Sequence, residues 1–106
     1  MDTDLELAVV LGRFEARTGR EADLAAVLAA YVVLTRRRSG CRNVDLVSAA
    51  AQPGRLVVIE KWESAELARA HLDAPETVAM AESAVDLLAA PPDLDLYDAV
   101  SAYDLE

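Results

Sequence analysis

The chain has 106 residues, the size of one ordinary domain with a single core, so residues 1–106 are predicted to form one domain. Its net charge of −9, concentrated in residues 54–106, excludes the clustered basic surface that nucleic-acid binding needs. No apolar run reaches the roughly 18 residues of a membrane span, the N-terminus is acidic, and the single Cys41 cannot form an intrachain disulfide. We therefore expect a reduced, cytoplasmic protein with no nucleic-acid or membrane partner.

The first forty residues predict a strand followed by a helix. Residues 5–14 are apolar on both faces in the middle, which is typical of a strand covered on both sides. Thr18 and Gly19 end the strand, and a helix follows with four residues at helical spacing, Leu24, Leu28, Tyr31 and Thr35. The helix should stop at Ser39 and Gly40. Its last residues, Arg36, Arg37 and Arg38, are interpreted as solvated charges that complement the helix dipole.

Residues 41–49 and 55–62 predict two further strands. The segment Ala51-Gln52-Pro53-Gly54 between them contains strong turn-forming residues, so the two strands should form an antiparallel hairpin.

Two short helices and a last strand are predicted after the hairpin. Ser64 is a suitable N-cap for a helix over residues 65–73. Pro75 suits the first turn of the next helix, which should end before Pro91 and present one apolar face formed by Val78, Ala81, Val85 and Leu88. Residues 94–103 alternate in polarity and predict the final strand.

The predicted order β-α-β-β-α-α-β indicates an α+β, ferredoxin-like fold whose second helical connection is split in two. Such a fold has a four-stranded antiparallel sheet with its helices on one face. Val57 and Ile59 make the other face apolar. We therefore expect two sheets to pack against each other in a homodimer.

Strand and helix periodicity brings three reactive groups together. Glu60 and Trp62 lie on one face of their strand, while Leu67 and His71 lie on one face of the following helix, which Leu67 should turn toward the sheet. His71 would then point inward near Glu60 and Trp62. An imidazole can accept a proton from a phenol, a carboxylate can orient that imidazole, and an indole can stack on an aromatic ring. The alternatives are a structural histidine, a packed tryptophan and a glutamate paired across the sheet.

Other chemistries lack their residues. One histidine and one cysteine are too few for a zinc site, and no Gly-x-Gly-x-x-Gly motif or phosphate loop occurs. We therefore expect neither a metal nor another cofactor. Proton transfer, or plain binding of a small ligand in an apolar pocket, is left.

The order and spacing of several short motifs resemble the antibiotic biosynthesis monooxygenase family, which includes quinol monooxygenases. The similarity extends over nearly the whole chain and rests on Phe14, Gly19, Ser39-Gly40-Cys41, Asp45-Leu46, Glu60-Lys61-Trp62-Glu63-Ser64 and Ala70-His71. The resemblance implies a ferredoxin-like fold and a homodimer of the dimeric α/β-barrel type. It also implies a pocket between the sheet and the helices of each subunit.

The resemblance further implies oxidation of a quinol or polycyclic phenol by O2 without metal or flavin. In that case His71 would act as the base and Glu60 as its hydrogen-bond partner, with Trp62, Phe14 and Leu67 in contact with the small aromatic substrate. Two departures from the family pattern suggest a less aromatic pocket: Arg38-Ser39 replaces the common Glu-Pro, and Val44 stands where an aromatic residue is frequent.

Two other functions remain open. A heme-degrading branch of the same fold shares Trp62-Glu63-Ser64, but its members carry an asparagine on the first strand and a later heme-binding histidine. Residues 5–14 contain no asparagine here, and residues 78–88 contain no histidine. The other possibility is a dimeric ferredoxin-like module that binds a small apolar ligand without turnover.

Overall fold

The computed structural model describes residues 7–101, so positions 5, 6, 102 and 103 of the two terminal predicted strands lie outside the described residues. The predicted α+β, ferredoxin-like order of elements is confirmed. The elements are β1 (Ala8–Glu15), α1 (Glu21–Arg36), β2 (Cys41–Ala49), β3 (Gln52–Trp62), α2 (Ala65–Leu72), α3 (Pro75–Ala84), a 3-10 turn (Val85–Leu87) and β4 (Asp93–Asp98).

The four strands form one antiparallel sheet in the order β2-β3-β1-β4. On β1 and β3 the side chains alternate between a face buried under the helices and an open face that is only half covered. Ala8 pairs with Trp62 at one end of β1, and Phe14 pairs with Leu56 near the other. Since each strand residue advances the chain by about 3.3 Å, Trp62 and Phe14 lie roughly 20 Å apart along the sheet.

The hairpin turn is tighter than predicted. Ala49 pairs with Gln52, so the turn consists of Ala50 and Ala51 and not of residues 51–54. Pro53 and Gly54 belong to β3, where the pairing with β2 is irregular. A proline is tolerated there because a bulge does not need its missing N–H group. The last strand is also shorter than predicted, since β4 ends at Asp98.

The four apolar residues predicted to share one face of the helix that begins at Pro75, namely Val78, Ala81, Val85 and Leu88, do lie together, but that face is not the buried one. Val78 and Val85 are 47% and 61% exposed, while the buried side of α3 and its 3-10 turn is formed by Thr77, Met80, Ala84 and Leu87. The sequence is apolar on both sides, so periodicity did not distinguish them. Thr77 can be buried because its hydroxyl donates a hydrogen bond, 2.6 Å long, to the backbone carbonyl of His71.

Two groups of buried side chains hold the helices on the sheet. The larger one joins α1 and α3 to the sheet and contains Phe14, Leu24, Leu28 and Val44, among others. The smaller one lies under α2 and consists of Ala8, Val10, Trp62 and Ala68. Ala68, not Leu67 as predicted, anchors α2, because Leu67 is 39% exposed and Ala68 is fully buried.

The backbone at Gly40 is a sensitive point of the fold. Its φ of 87° is unfavourable for any residue with a side chain, and a Cβ atom there would lie 2.5 Å from Leu67 Cδ1. Gly19 has nearly the same φ, 88°, but no heavy atom within 4 Å of its added Cβ. The two glycines therefore separate backbone strain from steric overlap.

We expect Gly19→Ala to lower the free energy of unfolding by about 1–2 kcal/mol through backbone strain alone. Gly40→Ala should cost about 1 kcal/mol more, since Leu67 must leave its rotamer. Urea unfolding of both variants measures the difference between their losses. When Leu67 is already alanine, Gly40→Ala should lower the free energy of unfolding no more than Gly19→Ala does. Equal losses in the two alanine variants would contradict the overlap with Leu67.

Candidate functional site

Glu60 is a buried carboxylate held by donors from two elements. Its side chain leaves the helix-covered face of β3 and is almost inaccessible to solvent. Tyr31 Oη, from α1, donates to Glu60 Oε2 over 2.6 Å, and Trp62 Nε1 donates to Glu60 Oε1 over 2.9 Å. The predicted shared face of Glu60 and Trp62 is thus present, but Tyr31 was not predicted to contact them.

The hydroxyl of Tyr31 stays protonated in this environment. Burial and the neighbouring charge of Glu60 both disfavour its anion and raise the pKa of Tyr31 well above its usual value. Tyr31 therefore has one proton to give, and the short bond to Glu60 uses it.

His71 points inward from α2, as predicted, and packs between two aromatic rings. Its ring centroid lies 4.8 Å from that of Trp62 and 5.6 Å from that of Tyr31. Nδ1 lies 3.3 Å from Tyr31 Oη and 3.7 Å from Glu60 Oε1. The structure therefore places the side chains of Glu60 and Trp62 beside the imidazole of His71.

On its other side, His71 contacts a residue that sequence reasoning missed. Nε2 lies 3.1 Å from Oε2 of Glu76, in the first turn of α3. Arg38 forms a bidentate ion pair with Glu76: its Nη2 donates to Oε1 over 2.6 Å, and its Nε donates to Oε2. These bonds from Arg38 hold the pKa of Glu76 at about 2, so this carboxylate is ionised and can only accept.

The interpretation of the basic triplet as solvated charge holds only in part. Arg38 is half exposed but binds Glu76, and Arg36 donates through Nη2 to the backbone carbonyl of Val44 over 2.9 Å. Neither contact has a signal in the local sequence. Glu76 follows His71 by five residues across the break between α2 and α3, a spacing that single-helix periodicity does not connect.

Counting donors and acceptors shows which nitrogen of His71 can take a proton. Because Glu76 only accepts, a hydrogen bond between it and His71 requires the ring proton on Nε2. The hydroxyl protons of Tyr31 and Thr77 go to Glu60 and to the His71 carbonyl, so in that tautomer Nδ1 would have a lone pair without a donor. A proton added at Nδ1 would find Tyr31 Oη as its acceptor and the Glu60 carboxylate 3.7 Å away. The site can therefore receive one proton at Nδ1.

Several cavities border this network, and one of about 360 Å³ lies between α1 and α3 beside Tyr31 and Glu76. Two others adjoin His71 and Thr77. The first, called here the small cavity, has a volume of about 120 Å³ and is lined by Arg38, Ser39, Trp62, Leu67, Ala70, His71 and Ala74. That volume is well below the roughly 300 Å³ at which small-molecule pockets begin. A polycyclic substrate does not fit there without rearrangement.

The second cavity, called here the apolar groove, lies between α3 and the sheet. It has a volume of about 340 Å³, and its lining includes Phe14, Leu72, Thr77, Val78, Val85 and Leu94. Thr77 belongs both to this wall and to the surroundings of His71, since its Oγ1 lies 3.5 Å from Nδ1. The exposed side of α3 therefore forms one wall of the groove.

The predicted substrate-binding residues do not share one cavity. Trp62 and Leu67 line the small cavity, and Phe14 lines the apolar groove. The carboxylate of Glu60 accepts hydrogen bonds from both Trp62 and Tyr31.

Cys41 is partly buried. Its burial and the nearby charge of Glu60 both raise the pKa of its thiol, so the thiolate form is disfavoured.

Within residues 7–101, no group of three or more His, Cys, Asp or Glu side chains is arranged to hold a metal ion. Both carboxylates around His71 already accept hydrogen bonds from protein donors. In the same part of the chain, no helix is both long and apolar enough to cross a membrane.

Comparison with known proteins identifies the family. A model of the antibiotic biosynthesis monooxygenase family matches residues 7–83. A protein of Nitrosomonas europaea named for that family superposes with a TM-score of 0.84 at 17% identity, covering 94% of this chain and 96% of its own. A Mycobacterium tuberculosis protein gives a TM-score of 0.84 at 26% identity, with coverage of 92% and 99%. No functionally curated protein matches the chain.

The matched region runs from the start of β1 into α3 and so contains Tyr31, Arg38, Glu60, Trp62 and His71. A third solved structure, from Deinococcus radiodurans and also named for the family, agrees with a TM-score of 0.83 at 21% identity over 93% of this chain and 98% of its own. Because the family model spans well over half of the sequence, the chain belongs to the antibiotic biosynthesis monooxygenase family.

Proposed function

We propose that this protein oxidises a quinol or phenol with O2, without metal or flavin, and that His71 is the proton acceptor. The observation that carries the proposal is the position of His71 Nδ1, which lies 3.5 Å from the hydroxyl oxygen of Thr77, a residue that lines the apolar groove. The Thr77 hydroxyl could therefore connect His71 Nδ1, the proposed proton acceptor, to the apolar groove, which is large enough for an aromatic ring.

The aromatic ring of the substrate would lie in the apolar groove, against Phe14, Val78 and Leu94. Its hydroxyl would donate to Thr77 Oγ1, and the Thr77 hydroxyl would turn from the His71 carbonyl to pass its own proton to Nδ1. The resulting imidazolium would lie with Nδ1 3.7 Å from Glu60 Oε1 and Nε2 3.1 Å from Glu76 Oε2. Substrate binding and proton transfer would therefore use two adjoining sets of residues.

The substrate supplies the electrons for this reaction. Its anion gives one electron to O2, the two radicals combine at a ring carbon, and cleavage of the O–O bond leaves a new carbonyl. For a hydroquinone the balance is one quinol and one O2 giving one hydroxyquinone and one water. No external reductant is needed, so the protein has to provide only placement and proton transfer.

Trp62 and Glu60 support His71 in this proposal. Trp62 is almost fully buried and donates to Glu60, so its indole contributes to the core as well as to the small cavity. Stacking of a substrate on Trp62 remains a prediction from sequence, as does contact with Leu67. Both would require the small cavity to widen.

We also propose that the protein acts as a homodimer formed through the open face of the sheet. Val9, Leu11, Val57 and Ile59 lie on that face, which no helix within residues 7–101 covers, and the exposed Tyr97 extends it onto β4. The apolar residues form a patch that is bordered on the same face by Arg13, Asp45, Lys61 and Asp95. An apolar patch with a polar rim is typical of a subunit interface.

Oxygen consumption with a panel of hydroquinones and anthrones tests the proposed reaction. We expect uptake of one O2 per substrate oxidised, with the same rate after treatment with a metal chelator and without added flavin. Substrate binding without oxygen uptake above the uncatalysed rate would contradict catalysis and indicate a binding module.

A further inference from the structure

Three residues from separate parts of the chain form a continuous line of hydrogen bonds that ends at the imidazole. Arg38 follows α1, Glu76 lies in the first turn of α3, and His71 lies near the end of α2. The side chain of Glu76 is only 9% exposed; its two oxygens accept two N–H groups from Arg38, and Oε2 also lies 3.1 Å from His71 Nε2. Glu76 is therefore shared between a surface cation and a buried ring.

The two nitrogens of His71 have different surroundings. Glu76 faces Nε2, with Arg38 behind it. Glu60 from β3, Tyr31 from α1 and Thr77 from α3 face Nδ1. A neutral imidazole has a single proton, so its placement decides which nitrogen can accept another one. Acceptors lie on both sides, and the balance between them sets the tautomer.

We propose that Glu76 is a positioning residue that keeps the proton of neutral His71 on Nε2 and so leaves Nδ1 free as the accepting nitrogen. Arg38 acts through Glu76 by fixing both of its oxygens. Without Glu76, the ring proton would move to Nδ1, where Tyr31 Oη and Glu60 accept, and the nitrogen beside Thr77 would lose its lone pair. The tautomer is independent of any catalysed reaction; its effect on turnover rests on the proposed function.

The size of the effect follows from the bond that is lost. A hydrogen bond to a charged acceptor favours one arrangement by a factor of roughly 10 to 100. Replacing Glu76 by leucine, which has similar volume and no acceptor, should therefore shift the ratio of the Nε2–H to the Nδ1–H tautomer by about this factor. Arg38 is 45% exposed, so replacing Glu76 leaves no buried cation without a partner.

The single histidine of the sequence makes this measurable without assignment. Two-dimensional 15N–1H spectra of the imidazole ring, recorded where the ring is neutral, distinguish the tautomers by the 15N shifts of the two ring nitrogens. We expect the wild-type protein to show Nε2–H almost exclusively and Glu76→Leu to show mostly Nδ1–H. A tautomer ratio within twofold of wild type in folded Glu76→Leu would overturn the proposal.

Variants of the arginine provide a second arm that does not disturb a buried residue. Arg38→Gln should lower the Nε2–H preference several-fold and let the pKa of Glu76 rise from about 2 toward its ordinary value near 4.3. Arg38→Lys should restore part of both effects, and Arg37→Gln, which changes the exposed neighbouring cation, should alter neither. If Glu76→Leu fails to fold, these variants decide the matter: equal spectra for Arg37→Gln and Arg38→Gln would remove the role of Arg38.

Activity separates this inference from the proposed function. If quinol oxidation occurs, Glu76→Leu should lower kcat at least tenfold with little change in KM, because the substrate would bind in the groove and not at Glu76. A tautomer switch in a protein without any oxidase activity would support the positioning role and contradict the proposed reaction. If the wild-type protein oxidises quinols but Glu76→Leu leaves the tautomer unchanged, the proposed reaction would be supported and the positioning role of Glu76 contradicted.

Discussion

Replacing His71 by glutamine should reduce kcat/KM for quinol oxidation by roughly 10²- to 10⁴-fold, the usual contribution of a general base. The amide cannot accept the substrate proton at neutral pH, yet it is polar and can still hydrogen-bond to Glu76. Because the phenolic anion must form before an electron passes to O2, the loss should appear mainly in kcat.

Arg69→Gln is the matched control for this experiment. Arg69 lies on the same helix two residues before His71, but its side chain is exposed. The control should oxidise quinols at the parent rate. Stopped assays at several pH values, together with circular dichroism to verify folding, measure both variants. A folded His71→Gln protein with the parent rate would show that His71 is not the proton acceptor.

The second large effect concerns assembly. Ile59→Asp should convert the proposed dimer into a monomer at micromolar concentration, because a buried unpaired carboxylate costs several kcal/mol and so weakens the dimer at least a hundredfold. Ile59 lies at the middle of the open sheet face, paired with Leu11 on one side and Asp45 on the other. Its substitution leaves the helix-covered face unchanged.

Val33→Asp is the control for the dimer experiment, since Val33 is 47% exposed on α1, on the opposite side of the molecule from the open sheet face. Light scattering after size-exclusion chromatography should give twice the monomer mass for wild type and for Val33→Asp. A monomeric wild-type protein, or an Ile59→Asp variant that remains dimeric, would contradict assembly through the sheet.

The sequence was sufficient for the features that depend on local periodicity. Alternation along β3 correctly grouped Glu60 with Trp62, and the helical spacing of α2 correctly turned His71 inward. Leu67 was the wrong anchor because the close approach of α2 to the sheet favours the smaller Ala68. In short helices rich in alanine, side-chain size and not apolar character determines which residues face the sheet.

The parts that could not be predicted depend on tertiary contacts. Tyr31 was expected only as a core residue, yet its hydroxyl joins Glu60 to His71. Arg38 was expected to be a solvated charge at the end of its helix, and Glu76 was given no role; their pairing depends on how α3 packs beside the end of α1. Contacts between residues far apart in the chain leave no trace in the spacing of either segment.

The groove also had no sequence signal. The sequence predicted one apolar face formed by Val78, Ala81, Val85 and Leu88, and in the structure this side of the helix contributes to the wall of a cavity. An apolar helix face can be buried by the protein or left for a ligand, and the pattern is the same in both cases. Only the tertiary arrangement, which leaves a cavity between this helix and Phe14 and Leu94 of the sheet, distinguishes them.

Labelling with 18O2 tests the central claim most directly. In a reaction of the purified protein with a hydroquinone, the account predicts a hydroxyquinone that contains one atom of 18O, seen as a mass increase of 2 units by mass spectrometry, with the second labelled atom in water. A product without the label, or hydrogen peroxide formed in equal amount to an unlabelled quinone, would contradict monooxygenation by this protein.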